Sequence, residues 1–430
     1  MMNKPKTKND NAWEQLFNRY SILEEVNKNG QFIISSAQIN KFRESRLMAK
    51  FDQSINLPQI FLAHKLSILP VSRSEYIIAP IDTHYHVTYG TIPPEPAQLP
   101  SGIKSIDYSN LYSEAIALNW AFNAGIIDEM VEEKTFHTVS GRMSTTKFNF
   151  SISSTIADRA PLQINVDNSQ CEIDGGFEGE QYFVLIEAKN YAVDDFLIRQ
   201  LYYPYRLWSS KLSKKVIPIL MTFSQDVFDF FIYEFATETE YNSITLVKQK
   251  RYAIAPEEIT TGDVAGLLSQ INVVPEPQGI PFPQANRFDR VVDLLSLLAV
   301  KPLTKDEITE NYEFDARQTN YYTDAGRYLG LIDKSTDSVT REVTFSLTDE
   351  ARLILSKKPK QKHLELIRKI LEHNVYQSVF QLALQQGKIP EKDEISQIIV
   401  DSQININSTT AQRRASTVHS WIQWIWKQIE

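Results

Sequence analysis

The chain has 430 residues, of which 42% are hydrophobic, 23% charged and 11% aromatic, with a net charge of −8. That length provides for two to four domains with cores of their own, and neither the composition nor any apolar run suggests a fibrous, disordered or membrane-spanning protein. A single cysteine, Cys171, excludes an internal disulfide framework and a cysteine-based zinc site. The polar stretch from Met1 to Asn11 lacks the apolar core of a signal peptide, so a reducing cytoplasm is expected.

Three regions follow one another, the last divided into two modules. In the first, residues 1–105, Ala12 to Asn27 has helical spacing. Phe32-Ile33-Ile34 is strand-like and leads into a further extended stretch from Gln38 to Arg46, and Glu75 to Ala79 is another strand. Arg43, Arg46 and Arg73 are the candidates here for facing nucleic acid, and additional base contacts or dimerisation are the possible duties of the region. Four prolines between Ile92 and Gly102 mark a linker.

The second region, 106–280, interleaves strands with helices. Asn110 to Ala124 repeats apolar residues at helical spacing and stops at Gly125. Lys147 to Ser154 alternates as a strand does. Ser169 to Phe177 and Tyr182 to Lys189 form an expected strand pair joined across Gly175-Gly176. Asp194 to Lys211 reads as an aromatic-rich helix, and Val216 to Phe223 and Val227 to Phe235 read as apolar strands. The expectation is an α/β domain, a mixed sheet flanked by helices. Pro275, Pro277, Gly279, Pro281 and Pro283 then form a second linker, and the chain beyond it is mostly helical.

Residues 285–358 carry a winged-helix pattern. Phe288 to Leu298 is its first helix, Thr304 and Glu307 cap a second, and Asp315 caps a third that runs from Ala316 to Leu329. Leu331 to Asp333 and Glu342 to Leu347 supply the wing. The early face of the third helix offers Arg317, Gln318, Asn320, Tyr321 and Tyr322, and such side chains read guanine and adenine edges from the first turns of a recognition helix. A winged helix that docks protein is the other use of this pattern. Residues 360–430 form a helical module from His363 to His373, Tyr376 to Gln386 and Ser408 to Ile429. Val418, Trp421, Ile422, Ile425 and Trp426 form its core stripe. Arg413 and Arg414, near the start of the last helix, are candidate contacts to DNA or a solvated basic face.

The segment that carries chemistry runs from Cys171 to Asn190. Side chains alternate along a strand, so Glu187 and Lys189 share one face, and the four apolar residues before Glu187 mark a strand buried on both sides. An acid and a lysine at the end of such a strand are costly to bury unless they are paired or bound to a metal. Asp174, on the neighbouring strand, is placed to meet them, with Glu172 and Glu178 as the alternatives. Two carboxylates, a backbone carbonyl and waters make a hard-oxygen site for Mg²⁺, and a lysine beside it can orient a water and balance charge on a phosphate. No Walker loop, dinucleotide fingerprint or G-x-S-x-G elbow is present. His84 and His86 read as one face of a strand rather than as zinc ligands.

Asp174, twelve intervening residues and Glu187-Ala188-Lys189 resemble the motif of the PD-(D/E)xK nuclease superfamily. The resemblance implies a restriction-endonuclease-like core with Mg²⁺ as cofactor. It also implies a helix packed on the active face (Leu197 to Trp208), a glutamine early in that helix (Gln200) and an acid on the helix before the sheet (Glu114). Taken with Ile34-Ser35-Ser36, the stretch Ser72 to Tyr76 and the two helical modules, the chain looks like bacterial type II restriction endonucleases. That likeness implies cutting of both strands of double-stranded DNA to leave 5′-phosphate ends, a homodimer, and a cognate DNA methyltransferase as functional partner. The rivals are a modification-dependent nuclease, a repair or junction nuclease, and a non-catalytic winged-helix regulator. Net acidity does not decide among them. Residues 1–284 hold 25 Lys and Arg against 33 Asp and Glu, residues 285–430 hold 20 of each, and global charge does not forbid a local basic groove.

Overall fold

The computed structural model describes residues 6–107, 111–254, 258–312, 314–402, 404 and 406–429. The chain is mixed α/β, and no helix among the described residues is long and apolar enough to cross a membrane.

The expected helix from Ala12 to Asn27 is two helices, α1 (Lys8–Arg19) and α2 (Ile22–Asn29). Ser21 between them takes a left-handed conformation, φ 47°, that a continuous helix cannot contain. Strand β1 (Phe32–Ser35) follows. The stretch from Gln38 to Arg46 is not extended, because Ser35 and Gln38 close a capping box that starts a helical turn, α3 (Ser36–Ile39), before α4 (Ser45–Met48). After α5 (Gln59–Ala63) come β2 (Ser67–Pro70) and β3 (Glu75–Ala79), and the three strands form an antiparallel sheet in the order β1-β3-β2. Trp13, Phe17 and Phe61 meet edge to face beneath them.

The middle of the chain contributes β4 (His84–His86), β5 (Glu95–Ala97), α6 (Glu114–Asn123), α7 (Ile126–Val131), β6 (Phe136–Ser144) and the hairpin of β7 (Lys147–Ile152) and β8 (Leu162–Asp167). Then come β9 (Gln170–Glu178), β10 (Tyr182–Lys189), β11 (Asp195–Leu197), α8 (Arg199–Ser209), β12 (Lys215–Ser224), β13 (Val227–Phe235), β14 (Ile244–Ile254) and α9 (Thr261–Leu268). Among the described residues, seven of these strands form one mixed sheet in the order β5-β14-β13-β12-β10-β9-β6. Asn110, the expected start of α6, lies outside the described residues. The proline-rich linker donates β5, which pairs parallel to the edge of β14.

β10 and β12 run parallel because α8 crosses over between them, as a parallel pair requires. Val184, Ile186 and Ala188 pack with α6 and α7 on one face, while Phe183 and Leu185 pack on the other, beside Trp208 and Tyr205 of α8. Two expectations change here. Gly175-Gly176 is not the β9–β10 turn: both glycines lie inside β9, opposite Ile186 and Leu185. The turn is Gly179 to Gln181, where the Glu133 carboxylate accepts the N–H groups of Glu180, Gln181 and Tyr182. A side chain on Gly175 would stand 2.7 Å from Leu118 Cδ2, so glycine is what lets α6 close onto the sheet. The helix expected from Asp194 begins only at Arg199, since residues 195–197 pair as a strand with His84 to His86.

The carboxy-terminal part opens with α10 (Phe288–Val300), β15 (Leu303–Thr304), α11 (Lys305–Asn311) and α12 (Ala316–Tyr328), with the expected capping box at Thr304 and the expected cap at Asp315, which Gln318 completes as a second box. Strands β16 (Ile332–Thr336) and β17 (Val343–Leu347) join β15 in a sheet ordered β15-β17-β16. Helices α13 (Asp349–Leu355), α14 (Pro359–Leu371), α15 (Asn374–Gln386), α16 (Lys392–Asp401) and α17 (Ser408–Ile429) complete the chain. Trp421 is core: it stacks on Tyr376, meets Phe288, and donates its indole N–H to the Ala285 carbonyl at 2.7 Å.

Candidate active site

The centre of the large sheet brings the motif residues together. Alternation along β10 puts Glu187 and Lys189 on one face, and they are only 7% and 5% exposed. Lys189 Nζ donates to Glu187 Oε1 at 2.7 Å. The Gln200 amide, in the first turn of α8, donates to the same oxygen. Asp174 of β9 joins from the neighbouring strand, its Oδ2 accepting the Ala188 N–H at 2.7 Å. Of the alternative acids, Glu172 pairs at the surface with Arg142, and Glu178 pairs with Lys214 at the turn end of β9. Glu114 opens α6 behind the Ser113 cap, within electrostatic reach of Lys189 and Glu187. Asp174, Glu187, Lys189, Glu114 and Gln200 therefore form one cluster.

Burial raises the Glu187 carboxyl to about 7, with Lys189 opposing and Asp174 adding to the shift. Burial likewise raises Asp174 to about 6, against the pull of Lys189. Glu114 also moves upward, first through burial. Burial works against the charge on Lys189, but Glu187, then Asp52 and Glu114, outweigh it and hold the ammonium well above its ordinary range. The cluster thus has one firmly positive group among acids whose negative charge is held at a cost.

Asp52 is the member that the sequence concealed. It lies between α4 and α5, its side chain 11% exposed and bridged at 3.3 Å by Lys50. Burial would raise its carboxyl, but Lys189 first, then Lys50 and Arg199, hold it below its ordinary value. Nothing in Phe51-Asp52-Gln53 marks it out, because its importance arises only when two parts of the chain dock. Tyr312, just past α11, stands with its ring 5.7 Å from Tyr191.

Asp174 and Glu187 are hard-oxygen donors, and the energetic cost of keeping them ionised is what a divalent cation would relieve. Gln200 Oε1 is buried with no hydrogen-bond partner among the described residues, an oxygen that a metal-bound water would satisfy. No group of three or more His, Cys, Asp or Glu side chains among the described residues is arranged to enclose a metal. A Mg²⁺ site here would rest on two carboxylates and take its other ligands from water and substrate phosphate, which is how Mg²⁺ is commonly held. Cys171 is buried and its thiol is pushed up to about 11, away from nucleophilic use. His84 hydrogen-bonds the Phe51 carbonyl and Thr83.

The residues expected to face DNA divide. Arg317 is exposed at the start of α12, its guanidinium 5.2 Å from the Tyr321 ring centre and bonded to the Tyr321 hydroxyl. Arg413 is exposed, and half-buried Arg414 lies near it and Tyr321, so α12 and α17 present one basic face. Asn320 is half-buried on α12. Gln318 is engaged in the cap, its Oε1 accepting the Asp315 N–H at 3.0 Å. Tyr322 leaves the face altogether: it is buried on Phe314, with ring centres 4.8 Å apart. Arg43 faces protein rather than solvent, as both of its terminal nitrogens bond the Glu310 carboxylate, at 2.7 and 2.8 Å. Arg46 pairs with Glu44 at the surface, and Arg73 is exposed.

Three family models match successive stretches of the chain, each described as a domain of unknown function: DUF6996 over residues 10–78, DUF6997 over 80–253 and DUF7226 over 290–430. The candidate catalytic residues from β9, β10, α6 and α8 fall in the second stretch, Asp52 in the first and the basic face in the third. No curated protein matches the chain, and no solved structure does.

Proposed function

We propose that this protein is a Mg²⁺-dependent endonuclease of the PD-(D/E)xK kind that cuts double-stranded DNA at a specific sequence, a type II restriction enzyme. The observation that carries the reading is the buried Glu187–Lys189 pair at the end of β10, met by half-buried Asp174 from β9 and flanked by Glu114 and Gln200. A structural ion pair does not require three acids, a lysine and a glutamine at one point in a core. Metal-assisted phosphodiester hydrolysis gives such a set a use. The order of α10 to α13 and β15 to β17 fits a winged helix, with α12 as the reading helix and β16–β17 as the wing.

Asp174 and Glu187 would hold Mg²⁺, which when bound supplies a more acidic water and offsets charge at the phosphate. Lys189 stays protonated and orients the attacking water while balancing the charge that develops on the phosphoryl oxygens. Gln200 fixes the Glu187 carboxylate so that its orientation does not depend on Lys189 alone. Arg317, Arg413 and Arg414 would bind the duplex at phosphates or base edges.

Purified protein incubated with unmethylated phage DNA and Mg²⁺ is the test, with EDTA and a Lys189→Ala variant as controls. Discrete fragments from the wild type alone, lost in both controls, are expected. Fragments only from methylated DNA would replace this reading with a modification-dependent nuclease. Absence of cleavage on either substrate, with DNA binding retained, would leave a non-catalytic regulator.

A further inference from the structure

Helix α8 packs on the sheet face that carries Glu187 and Lys189, and its first two side chains part ways. Gln200 turns to Glu187. Arg199 turns to the start of β9, where its Nη1 donates to the Gln170 carbonyl at 3.4 Å. Its guanidinium lies 5.6 Å from the ring centre of Tyr203, which is buried and fixed by a bond from its hydroxyl to the Pro70 carbonyl. The helix start is anchored as well, since the Leu197 and Ile198 N–H groups donate to the Asp52 and Thr83 carbonyls at 2.8 and 3.0 Å. Arg199 therefore has a rigid seat one residue from the side chain that holds Glu187.

It has no counter-ion there. Among the described residues, Arg43, Arg206, Arg251, Arg290, Arg327 and Arg368 are buried or half-buried, and each bridges a carboxylate. Arg199 and Arg414 are half-buried and bridge none among the described residues. Arg206 gives the contrast within one helix, since it bonds Glu238, the Asn149 carbonyl and the Tyr202 hydroxyl. Arg199 spends one of its N–H donors on Gln170, and its Nε is buried without a partner. Asp52 lies within electrostatic reach but makes no ion pair with it. A guanidinium desolvated on one side and paired with no anion is costly, and its planar fork suits a phosphate.

The seat lies along the strand that carries Asp174. Gln170 precedes Asp174 by four residues, roughly 13 Å of strand. A duplex covers that distance in about four base steps, so a strand with one phosphate at Asp174 brings another near Arg199. We propose that Arg199 binds a backbone phosphate of the DNA strand that is cut, a few nucleotides from the scissile one. The proposal deepens the nuclease reading and rests on it for the identity of the anion. It gives the active-site rim a grip on DNA that is independent of sequence and separate from the basic face of α12 and α17.

The test uses full-length wild type, Arg199→Gln and Arg199→Lys with a fragment of unmethylated phage DNA, one that the wild type cuts where there is one. Affinity is measured in Ca²⁺ across NaCl concentrations, and kcat and KM in Mg²⁺. Phenylglyoxal modification of the wild-type arginines, with and without the fragment, is followed by peptide mass spectrometry. Arg199→Gln is expected to lose about tenfold in affinity and to lower the salt slope by about 0.9. Its KM should rise by about tenfold with kcat within about threefold, the pattern of a lost binding contact. Arg199→Lys, which keeps the charge, should keep the wild-type slope. In the wild type, DNA should slow modification of Arg199 several-fold, a readout that needs no variant to fold. Wild-type affinity and slope in Arg199→Gln would overturn the proposal, as would an Arg199 that bound DNA leaves unprotected, and cleavage by the wild type would leave the nuclease reading standing. A fragment that protects Arg199 and lowers the slope as expected but is never cut would remove the nuclease reading while the phosphate contact stands.

Discussion

The end of β10 and the outer face of α12 and α17 both gather charge, under opposite physical conditions. Glu187 and Lys189 are 7% and 5% exposed and bonded to one another, with Asp174 on the neighbouring strand and Glu114 and Asp52 within electrostatic reach. Arg317 and Arg413 are exposed to solvent, where the field of one is screened from most of the molecule. Burying an ion costs several kcal/mol unless its partners are well placed, so a buried cluster of this size needs an explanation. An exposed arginine costs almost nothing, so its purpose shows only through a partner. The first region therefore points to a reaction, and the second only to a class of ligand.

Glu187→Gln tests that difference with the largest expected effect. The amide keeps the shape and removes the charge, while Asp52 and Glu114 remain to compensate Lys189. Single-turnover cleavage is expected to fall by about 1000-fold, roughly 4 kcal/mol of barrier, with duplex affinity measured in Ca²⁺ unchanged. Cleavage within tenfold of wild type would make the cluster a structural ion pair and erase the contrast with the basic face.

Legibility follows the same line. The Glu187-Ala188-Lys189 strand, the caps at Thr304 and Asp315 and the helix from Ser408 to Ile429 were legible because periodicity and capping are local properties. Helix α16 is not among the expected elements, although Glu391 and Glu394 at its start and Ile395 and Ile399 at helical spacing signal it locally. Strand β14 was harder, since its middle is polar and its burial is concentrated at its ends. The Gly175-Gly176 pair misled because glycine serves a turn and a close helix approach equally well, and only the position of Leu118 separates the two. Asp52 had no local signal at all. The loop that carries it is placed by bonds to Leu197, Tyr191 and Asp195, each more than a hundred residues away in sequence.

The basic face is sharpened by Arg317→Ala and Arg413→Ala, read as duplex affinity across salt concentrations. If a side chain reads a base edge, its loss should cost about 1–3 kcal/mol and relax preference at one position. If it holds a phosphate, affinity should fall evenly across sequences and the salt slope should drop by about 0.9. Cleavage at saturating DNA should persist in both variants. Affinity and slope that remain those of the wild type would assign the face to a protein partner.

Asp293 offers the control that separates burial from chemistry. It is 4% exposed, and burial raises its carboxyl to about 7, as with Glu187. Its partners, though, are the Ser224 hydroxyl and the Ala192 N–H, with Asp289, Arg287 and Tyr89 as the charged or ionisable groups near it. It has no motif around it and reads as a structural acid. A group raised from 3.8 to about 7 stabilises the fold in its neutral form, so that stability is complete below the unfolded value and is lost as pH rises through 7. The decline runs from about pH 4 to pH 7, where the native state holds a proton that the unfolded state has released, at up to about 1.4 kcal/mol per pH unit, and it levels off above pH 7. Urea unfolding at several pH values should show this decline in the wild type and a flatter profile in Asp293→Asn, which keeps a hydrogen-bonding side chain without the charge. Cleavage by that variant should match the wild type. Were Asp293→Asn instead to lose cleavage while folding normally, a raised carboxyl would mark function wherever it is buried, and the distinction drawn between β10 and the rest of the core would fail.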